Sequence, residues 1–359
     1  MSHTHEELVR RLEGNIAHST EDNISILHKE IPFEEGRRGL DPRVKHYLKT
    51  EAGLRNRRPM DMEDLEAARR RVELHNWDLS TGVEKTMATI HAENRSLPLS
   101  VFRHGKGKKP VVLYLHGGGF FERDVEAMEN VCKLLAEKAD AVVAAVHYRL
   151  APEHPYQEGL NDCLEAARYL YDHAEEWNMD RSKFGLIGDS VGGNLALGLH
   201  QLSGREPWEI TYIGMFCPLV DLSELSRNTW RINDYNMIED ADLIYRELVT
   251  MKDSLMFVQS LYLENLEDVY RPLVSPLLRK DKSTFPPMTI ITAEYDYLRV
   301  QAEAFSKQLA EAQVPVRHFR YKGMDHAFVR KLGYYPQAAD AINEISKHFQ
   351  HEVNKSARL

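Results

Sequence analysis

The stretch "FGLIGDSVGGNLALGL" (residues 184–199) contains the pattern G-x-S-x-G at Gly188, Ser190 and Gly192. An apolar, strand-like run precedes the pattern, and a helix-forming run follows it. A strand-to-helix turn sharp enough to expose a serine hydroxyl has a strained backbone, and only glycines on either side avoid clashes. The N-terminus of the following helix also favours negative charge beside the serine. This context predicts that Ser190 is a nucleophile, although the pattern alone is a weak signal and also fits a plain tight turn.

A serine hydroxyl is a poor nucleophile unless a base accepts its proton. Among the 17 histidines, His326 in "YKGMDHAF" directly follows the last strand-like run, "VPVRHFRY". In one known arrangement of a catalytic triad, the chain order is Ser, then Asp or Glu, then His. "TIITAEYDYLR" supplies Glu294 and Asp296 just beyond the preceding strand-like run. Either carboxylate could orient His326 on chemical grounds, and a surface carboxylate without such a role is the alternative for each.

Acyl transfer also requires hydrogen-bond donors for the oxyanion of the tetrahedral intermediate. "LYLHGGGFF" places Gly117, Gly118 and Gly119 directly after a strand-like run that precedes the serine. Residues without side chains let backbone N–H groups approach an oxygen closely, and the N–H of Val191 adds a further donor. A dinucleotide-binding loop is excluded, because no G-x-G-x-x-G pattern opens a helix here. The glycines therefore indicate an oxyanion-binding loop.

The elements around these residues alternate between strands and helices from about residue 83 onward. "VEKTMATIHAE" and "LPLSVFRHG" alternate apolar and polar positions on either side of a short joint, which predicts an antiparallel pair. The continuous apolar runs that follow are typical of strands buried on both faces of a parallel sheet. They are "VVLYLH", "AVVAAVHY", "KFGLIG", "ITYIGMFC", "MTIIT" and "VPVRHFRY". Amphipathic stretches between them predict crossover helices, so the fold class is α/β with helices on both faces.

The first 80 residues depart from this alternation and are predicted to be mostly helical. One helix is expected to begin at Asp61 as its N-cap and to bear an apolar face of Leu65, Ala68 and Val72. Lys and Arg outnumber Asp and Glu over residues 37–71. A solvated helical face is favoured over a basic docking surface, because no interleaved aromatic residues suggest nucleic-acid binding.

Residues 219–285 form the second departure. A β-α-β crossover needs only about 10–12 residues, so much of this stretch is additional. "DADLIYRELVTMKDSLMFVQSLY" has helical spacing in Leu243, Leu248, Leu255 and Val258. The stretch follows a strand at the sheet edge where such folds bind ligands, which makes it a candidate lid.

Composition excludes several classes of protein. The net charge of −9 argues against a general nucleic-acid binder. No apolar run approaches the ~18 residues of a membrane-spanning helix, and the N-terminus lacks the apolar stretch of a secretory signal. Cys132, Cys163 and Cys217 have no metal-ligand spacing and suit a reducing compartment. We therefore expect a cytoplasmic enzyme, with no membrane insertion and no metal; "HTHEE" near the N-terminus is a chance cluster of ligand types.

Five motifs occur in the order that is typical of the hormone-sensitive-lipase-like family of serine esterases, and the chain resembles that family over roughly residues 83–350. They are "HGGGF" (116–120), "YRLAPEHPY" (148–156), "GDSVGGNLA" (188–196), "AEYDYLR" (293–299) and "GMDHAF" (323–328). The resemblance implies an α/β-hydrolase fold, with a mostly parallel eight-stranded sheet, helices on both faces and a helical cap. It also implies that residues 1–80 and 219–285 form the cap, while residues 81–218 and 286–359 form the core.

The resemblance further assigns roles to individual residues. It implies a triad of Ser190, His326 and Asp296, with Asp296 preferred to Glu294, and oxyanion donors at Gly118, Gly119 and Val191. No cofactor and no metal are implied. Asp189, Glu153 and His154 match family positions too and are expected to hold loops by hydrogen bonds.

The expected function is a serine carboxylesterase that hydrolyses short acyl esters, from acetyl to about hexanoyl, through an acyl-enzyme. An amide or formamide hydrolase with the same triad is one alternative. A non-catalytic small-molecule receptor on the same scaffold is another, and the presence of His326 argues against it. The family usually has Ala where this chain has Val191, which leaves the substrate preference open. Pairing of two copies through edge strands or cap surfaces is compatible with the resemblance.

Overall fold

A computed structural model of the chain describes residues 3–21, 24–50, 65–69, 75–92, 95–122, 125–223 and 230–355. Within these ranges, ten strands form one sheet in the order β1-β2-β10-β9-β8-β7-β5-β6-β4-β3. The strands are β1 (Ile16–Glu21), β2 (Ile24–Lys29), β3 (Val83–Ala92), β4 (Arg95–His104), β5 (Lys109–Leu115), β6 (Val142–Val146), β7 (Met179–Asp189), β8 (Ile210–Phe216), β9 (Met288–Tyr295) and β10 (Val316–Asp325). The seven strands from β2 to β6 in this order run parallel.

The central strands are buried on both faces. All residues of β6 and β9 are buried, as their continuous apolar sequences predict. The alternating segments form the predicted antiparallel pair, because β3 pairs with β4, and β4 in turn pairs antiparallel with β6. The predicted α/β-hydrolase fold with a mostly parallel sheet is confirmed.

Helices cover both faces of the sheet, as predicted. The helices are α1 (His5–Gly14), α2 (Pro42–Tyr47), α3 (Leu65–Arg69), α4 (Glu129–Lys138), α5 (Glu158–Asp172), α6 (Val191–Leu202), α7 (Ala241–Tyr262), α8 (Arg299–Glu311) and α9 (Pro336–Lys355). Helix α9 contacts both α1 and α4 on one face, whereas α5, α6 and α8 contact the strands from the other. None of the helices in the described ranges is long and apolar enough to cross a membrane.

The N-terminal segment (residues 1–80) differs from the predicted helical structure at residues 16–21 and 24–29. These residues form the β1–β2 hairpin, and β2 pairs parallel with β10. Over the described residues the sheet therefore has ten strands and not the expected eight. The physical reason is that β10 offers an edge of unpaired backbone groups, which the hairpin covers. The expected helix start at Asp61 lies outside the described residues; helix α3 is described from Leu65, which is buried.

The insertion segment (residues 219–285) contains the predicted helix as α7. Leu248, Leu255 and Val258 are buried along one face of this helix. Its N-terminus is held by Asp240, which forms ion pairs with Lys45 and with Arg37 of the N-terminal segment. The two irregular segments therefore contact each other.

Candidate active site

Ser190 lies at the turn between β7 and α6. Its backbone has φ 53° and ψ −119°, a left-handed region that non-glycine residues rarely adopt. The surrounding backbone holds this conformation, because the Ser190 N–H donates to the Phe216 carbonyl oxygen at 2.8 Å, and the Ser190 carbonyl accepts from Gly193 and Leu219. The strand-to-helix turn predicted from the sequence is therefore present.

The flanking glycines are required by contact distances. A Cβ atom on Gly188 would lie 2.5 Å from backbone atoms of Gly192, and a Cβ on Gly192 would lie 1.9 Å from the Leu115 carbonyl oxygen. Real Cβ atoms essentially never approach backbone this closely. The turn can therefore form only with glycine at both positions.

The structure brings Ser190, His326 and Asp296 together in one chain of hydrogen bonds. His326 follows β10 and Asp296 follows β9, so both lie at the same carboxyl edge of the parallel sheet as Ser190, which follows β7. The Ser190 Oγ lies 3.1 Å from His326 Nε2, and His326 Nδ1 lies 2.8 Å from Asp296 Oδ2. A hydroxyl, an imidazole and a carboxylate in this order can transfer the hydroxyl proton to the imidazole.

Asp296 is almost inaccessible to solvent, with 1% of its surface exposed. The backbone N–H of Leu298 donates to its Oδ1 at 2.8 Å, which leaves Oδ2 facing His326. Glu294, the other carboxylate that the sequence offered, accepts instead from Lys322 Nζ at 3.0 Å and from the Gly323 N–H at 2.9 Å. Of the two carboxylates, Asp296 is therefore the one placed against His326.

Cys217 lies beside Asp296 and His326, and its thiol belongs to the side-chain types that bind metals. In the described part of the chain, potential donor atoms of Cys217, Asp296 and His326 lie within 4.8 Å of one another. Burial, together with the Asp296 charge, raises the pKa of the Cys217 thiol, which opposes formation of the thiolate that a metal needs. The donor set therefore does not fit a resident metal, because His326 and Asp296 are already hydrogen-bonded to each other.

The glycine loop (residues 116–122) lies opposite the turn at Ser190. Gly118 and Gly119 have φ of 105° and 60°, conformations that favour glycine. The loop closes on itself, because the N–H groups of Phe121 and Glu122 both donate to the Gly118 carbonyl at 3.0 Å. Val191 is the first residue of α6, and the first N–H groups of a helix have no acceptor within the helix. The loop and the helix end can supply backbone donors to an oxygen beside Ser190.

Asp189 joins the glycine loop to the turn at Ser190. It is 1% exposed, and its Oδ1 accepts from the Gly117 N–H at 2.9 Å and from the Tyr114 hydroxyl at 2.8 Å. Its Oδ2 accepts from the Arg330 guanidinium at 3.3 Å. The expectation that Asp189 holds a loop by hydrogen bonds agrees with these contacts, whereas no sequence signal pointed to Arg330.

Comparisons with known proteins agree with this fold. Residues 112–330 match a protein family described as having the alpha/beta hydrolase fold. The arylesterase of Saccharolobus solfataricus is 31% identical over 246 residues, which are 67% of this chain and 75% of that protein. The ethyl acetate hydrolase of Pseudomonas putida is 28% identical over 330 residues, which are 88% of this chain and 99% of that protein.

A solved structure gives the same result. The hyperthermophilic esterase from the archaeon Pyrobaculum calidifontis superposes with a TM-score of 0.72 at 28% identity, covering 87% of this chain and 98% of that one. The chain belongs to the α/β-hydrolase family, and the predicted resemblance to the hormone-sensitive-lipase-like esterases is confirmed. As an enzyme, it is a carboxylic ester hydrolase.

Proposed function

We propose that this protein is a serine carboxylesterase for short acyl esters, from acetyl to about hexanoyl, and that Ser190, His326 and Asp296 are its catalytic triad. The observation that carries the proposal is the continuous hydrogen-bonded chain from the Ser190 hydroxyl through His326 to the buried Asp296, with distances of 3.1 Å and 2.8 Å. A small ester is the substrate, and we expect the enzyme to be cytoplasmic.

In the first half of the reaction, Ser190 Oγ attacks the ester carbonyl carbon while His326 Nε2 accepts the hydroxyl proton. The N–H groups of Gly118, Gly119 and Val191 bind the oxyanion of the tetrahedral intermediate. His326 then donates the proton to the alcohol oxygen as the bond between carbonyl carbon and alcohol oxygen breaks. The alcohol leaves and an acyl group remains on Ser190.

In the second half, His326 accepts a proton from a water molecule whose oxygen attacks the acyl carbon. The second tetrahedral intermediate uses the same N–H donors. Its collapse breaks the bond to Ser190 Oγ, which regains a proton from His326, and the carboxylic acid is released. Asp296 holds the imidazole in the required tautomer and stabilises its charged form in both halves.

In this proposal, the N-terminal segment (residues 1–80) and the insertion segment (residues 219–285) form the cap. Tyr262, at the end of α7, stacks on Phe120 of the glycine loop with ring centroids 3.7 Å apart. The Tyr262 carbonyl also accepts from the Tyr156 N–H at 2.7 Å. These contacts support a cap that lies against the glycine loop and restricts the length of the bound acyl group. A relative named for ethyl acetate, a two-carbon acyl ester, supports the same preference.

The test is hydrolysis of p-nitrophenyl esters from acetate to dodecanoate by the wild type, Ser190→Ala and the control Ser182→Ala. Ser182 is exposed, and its hydroxyl bonds locally to Asp180, so this control should keep wild-type rates. We expect a rate that depends on Ser190 and is highest for acyl chains of about two to six carbons. A phosphonate probe followed by mass spectrometry should label the wild type and Ser182→Ala once, and Ser190→Ala not at all.

Other outcomes contradict the proposal. Retention of most esterase activity in Ser190→Ala would refute the assignment of the nucleophile. Cleavage of anilides or formamides without cleavage of any ester would instead indicate an amide hydrolase with the same triad. Absence of both hydrolysis and labelling would favour a binding role.

A further inference from the structure

Arg69, in the N-terminal segment, makes four hydrogen bonds to the loops behind the proposed oxyanion site. Its Nε donates to the Phe121 carbonyl oxygen at 2.8 Å, and its Nη2 donates to the Ala151 carbonyl oxygen at 2.8 Å. Its two terminal nitrogens also donate to the two Glu153 carboxylate oxygens at 2.7 Å and 2.6 Å. One planar guanidinium thus joins helix α3 to two loops of the core.

The two loops that Arg69 contacts are already bonded to each other. The Ala151 N–H donates to the Phe120 carbonyl oxygen at 2.9 Å. The Arg69 guanidinium binds one carbonyl of each loop. These are the carbonyl of Phe121, the residue after Phe120, and the carbonyl of Ala151. Arg69 therefore fixes the spacing between the glycine loop and the loop at residues 150–154.

Displacement of Phe121 would move the proposed oxyanion donors. The Phe121 N–H donates to the Gly118 carbonyl at 3.0 Å, which closes the turn that contains Gly118 and Gly119. The Phe121 ring also lies against Gly119, since a Cβ there would be 2.5 Å from the ring atom Cε1. The position of the Phe121 carbonyl is thus coupled to both glycines through a hydrogen bond and a packing contact.

The ion pair with Glu153 contributes less than the contacts with the two carbonyls. The Glu153 side chain is 54% exposed and that of Arg69 is 16% exposed. Partly exposed ion pairs are screened by solvent and contribute little to stability. A lysine could form such a pair, but its compact ammonium could not reach both carbonyls and the carboxylate at once. The forked geometry of arginine is what this position uses.

We propose that Arg69 is a positioning residue for the oxyanion site. Through Arg69, the N-terminal segment holds the glycine loop in the conformation that presents its N–H groups to the oxyanion. The proposal rests on the proposed esterase function. Its consequence is that the cap acts on the rate of the chemical step as well as on substrate access.

The test compares Arg69→Lys, Arg69→Ala and a control, Arg168→Ala. Arg168 lies on helix α5, away from the glycine loop. Like Arg69 it forms ion pairs with glutamate, in this case with Glu165 and Glu206. Loss of a whole oxyanion donor lowers kcat by about 10²–10³-fold, so we expect a fall of about 10–100-fold for displaced donors. Both Arg69 variants should show this fall in kcat with KM changed less than about two-fold, equally for acetate and hexanoate esters.

Three further readouts separate positioning from a loss of folded enzyme. Active sites are counted with the phosphonate probe, so that kcat refers to competent enzyme only. An aryl trifluoromethyl ketone mimics the intermediate, because Ser190 Oγ adds to its carbonyl carbon and forms a hemiketal oxyanion. We expect the Kd of this compound to rise by the same factor by which kcat/KM falls. Added guanidinium should restore part of the rate of Arg69→Ala and leave Arg168→Ala unchanged.

Unchanged kcat in Arg69→Lys and Arg69→Ala, with a wild type that depends on Ser190, would overturn the positioning role while leaving the esterase proposal intact. A rise in KM that depends on acyl length, at constant kcat, would also overturn it, because it indicates substrate access alone. If Arg69→Ala does not fold, Arg69→Lys decides the question. Failure of the proposed function is distinct, since it appears as wild-type activity that is independent of Ser190.

Discussion

The hydroxyl of Tyr235 donates a hydrogen bond to the backbone carbonyl oxygen of Asp296 at 3.0 Å. Tyr235 belongs to the insertion segment, is 4% exposed, and accepts a hydrogen bond from Trp230 Nε1 at 3.0 Å. The Trp230 ring packs against Tyr297, the residue after Asp296, with centroids 5.5 Å apart. The insertion segment therefore contacts the backbone of the proposed catalytic acid from outside the core sheet.

Tyr235→Phe is expected to lower kcat/KM by about 2–10-fold, because a buried hydrogen bond contributes about 1 kcal/mol and its loss frees the Asp296 loop. Steady-state kinetics on a short acyl ester measure the effect. The matched control is Tyr245→Phe, since Tyr245 lies on α7 with 54% of its surface exposed. Equal rates for both variants would show that the contact does not position Asp296.

Substitution of the two candidate carboxylates should have very different effects. Asp296→Asn is expected to lower kcat by about 10³–10⁴-fold, because an amide at this position favours the wrong imidazole tautomer. Glu294→Gln is expected to stay within about three-fold of wild type, and to lose about 1 kcal/mol of stability through weaker contacts with Lys322 and Gly323. Kinetics and urea unfolding on both variants make the comparison. Greater damage to kcat from Glu294→Gln would contradict the assigned acid.

The sequence predicted the nucleophile turn and its histidine because both depend on local features. Ser190 lies between a recognisable strand and helix, and His326 follows the last strand, so a parallel sheet brings them to one edge. The residues alone could not distinguish Glu294 from Asp296. That choice depends on the turn after β9, where the Leu298 N–H binds one Asp296 oxygen and leaves the other for His326.

Other features of the site had no sequence signal. Arg69 reaches Phe121 and Glu153 across 52 and 84 residues of chain, and the type of an isolated arginine does not indicate such partners. Tyr235 is similar, since its contact with Asp296 spans 61 residues. The β1–β2 hairpin does have a local signal: in "ISILHK", buried Ile24 and Ile26 flank exposed Ser25, which is the two-residue period of a strand.

Gly192→Ala is expected to prevent formation of the turn at Ser190. The new Cβ would lie 1.9 Å from the Leu115 carbonyl oxygen, a backbone atom at the end of β5 that cannot move without disturbing the sheet. A loss of more than about 4 kcal/mol of stability or insoluble protein should follow. Soluble yield, thermal unfolding and phosphonate labelling measure the outcome. The control Gly204→Ala, with no atom within 4 Å of the new Cβ, should remain within about 1 kcal/mol of wild type. A stable, active Gly192→Ala would contradict this account of the turn.

Acid should destabilise the fold partly through His318. Burial, with the nearby Arg320 and Arg299 charges, lowers the pKa of His318 to about 3, and its ring is hydrogen-bonded to Ser306 and Thr292. Because the unfolded chain takes up this proton near pH 6.5 and the folded chain does not, the contribution of His318 to stability is complete above that pH. It is lost as pH falls from about 6.5 towards about 3, by up to ~3 kcal/mol at pH 4.

Replacing His318 by Asn removes this titration while keeping a side-chain amide near the position of Nδ1. We expect the unfolding free energy of His318→Asn to be lower than that of wild type at about pH 7, and to fall less steeply between about pH 6.5 and pH 4. Urea unfolding at several pH values measures both slopes. The control His351→Asn places the same substitution at an exposed position on α9. Burial also lowers the pKa values of His28 and His348 to about 4. The unfolding free energy of His318→Asn should therefore still fall somewhat as the pH is lowered. An equal slope in His318→Asn and wild type would show that His318 takes up its proton without unfolding the chain.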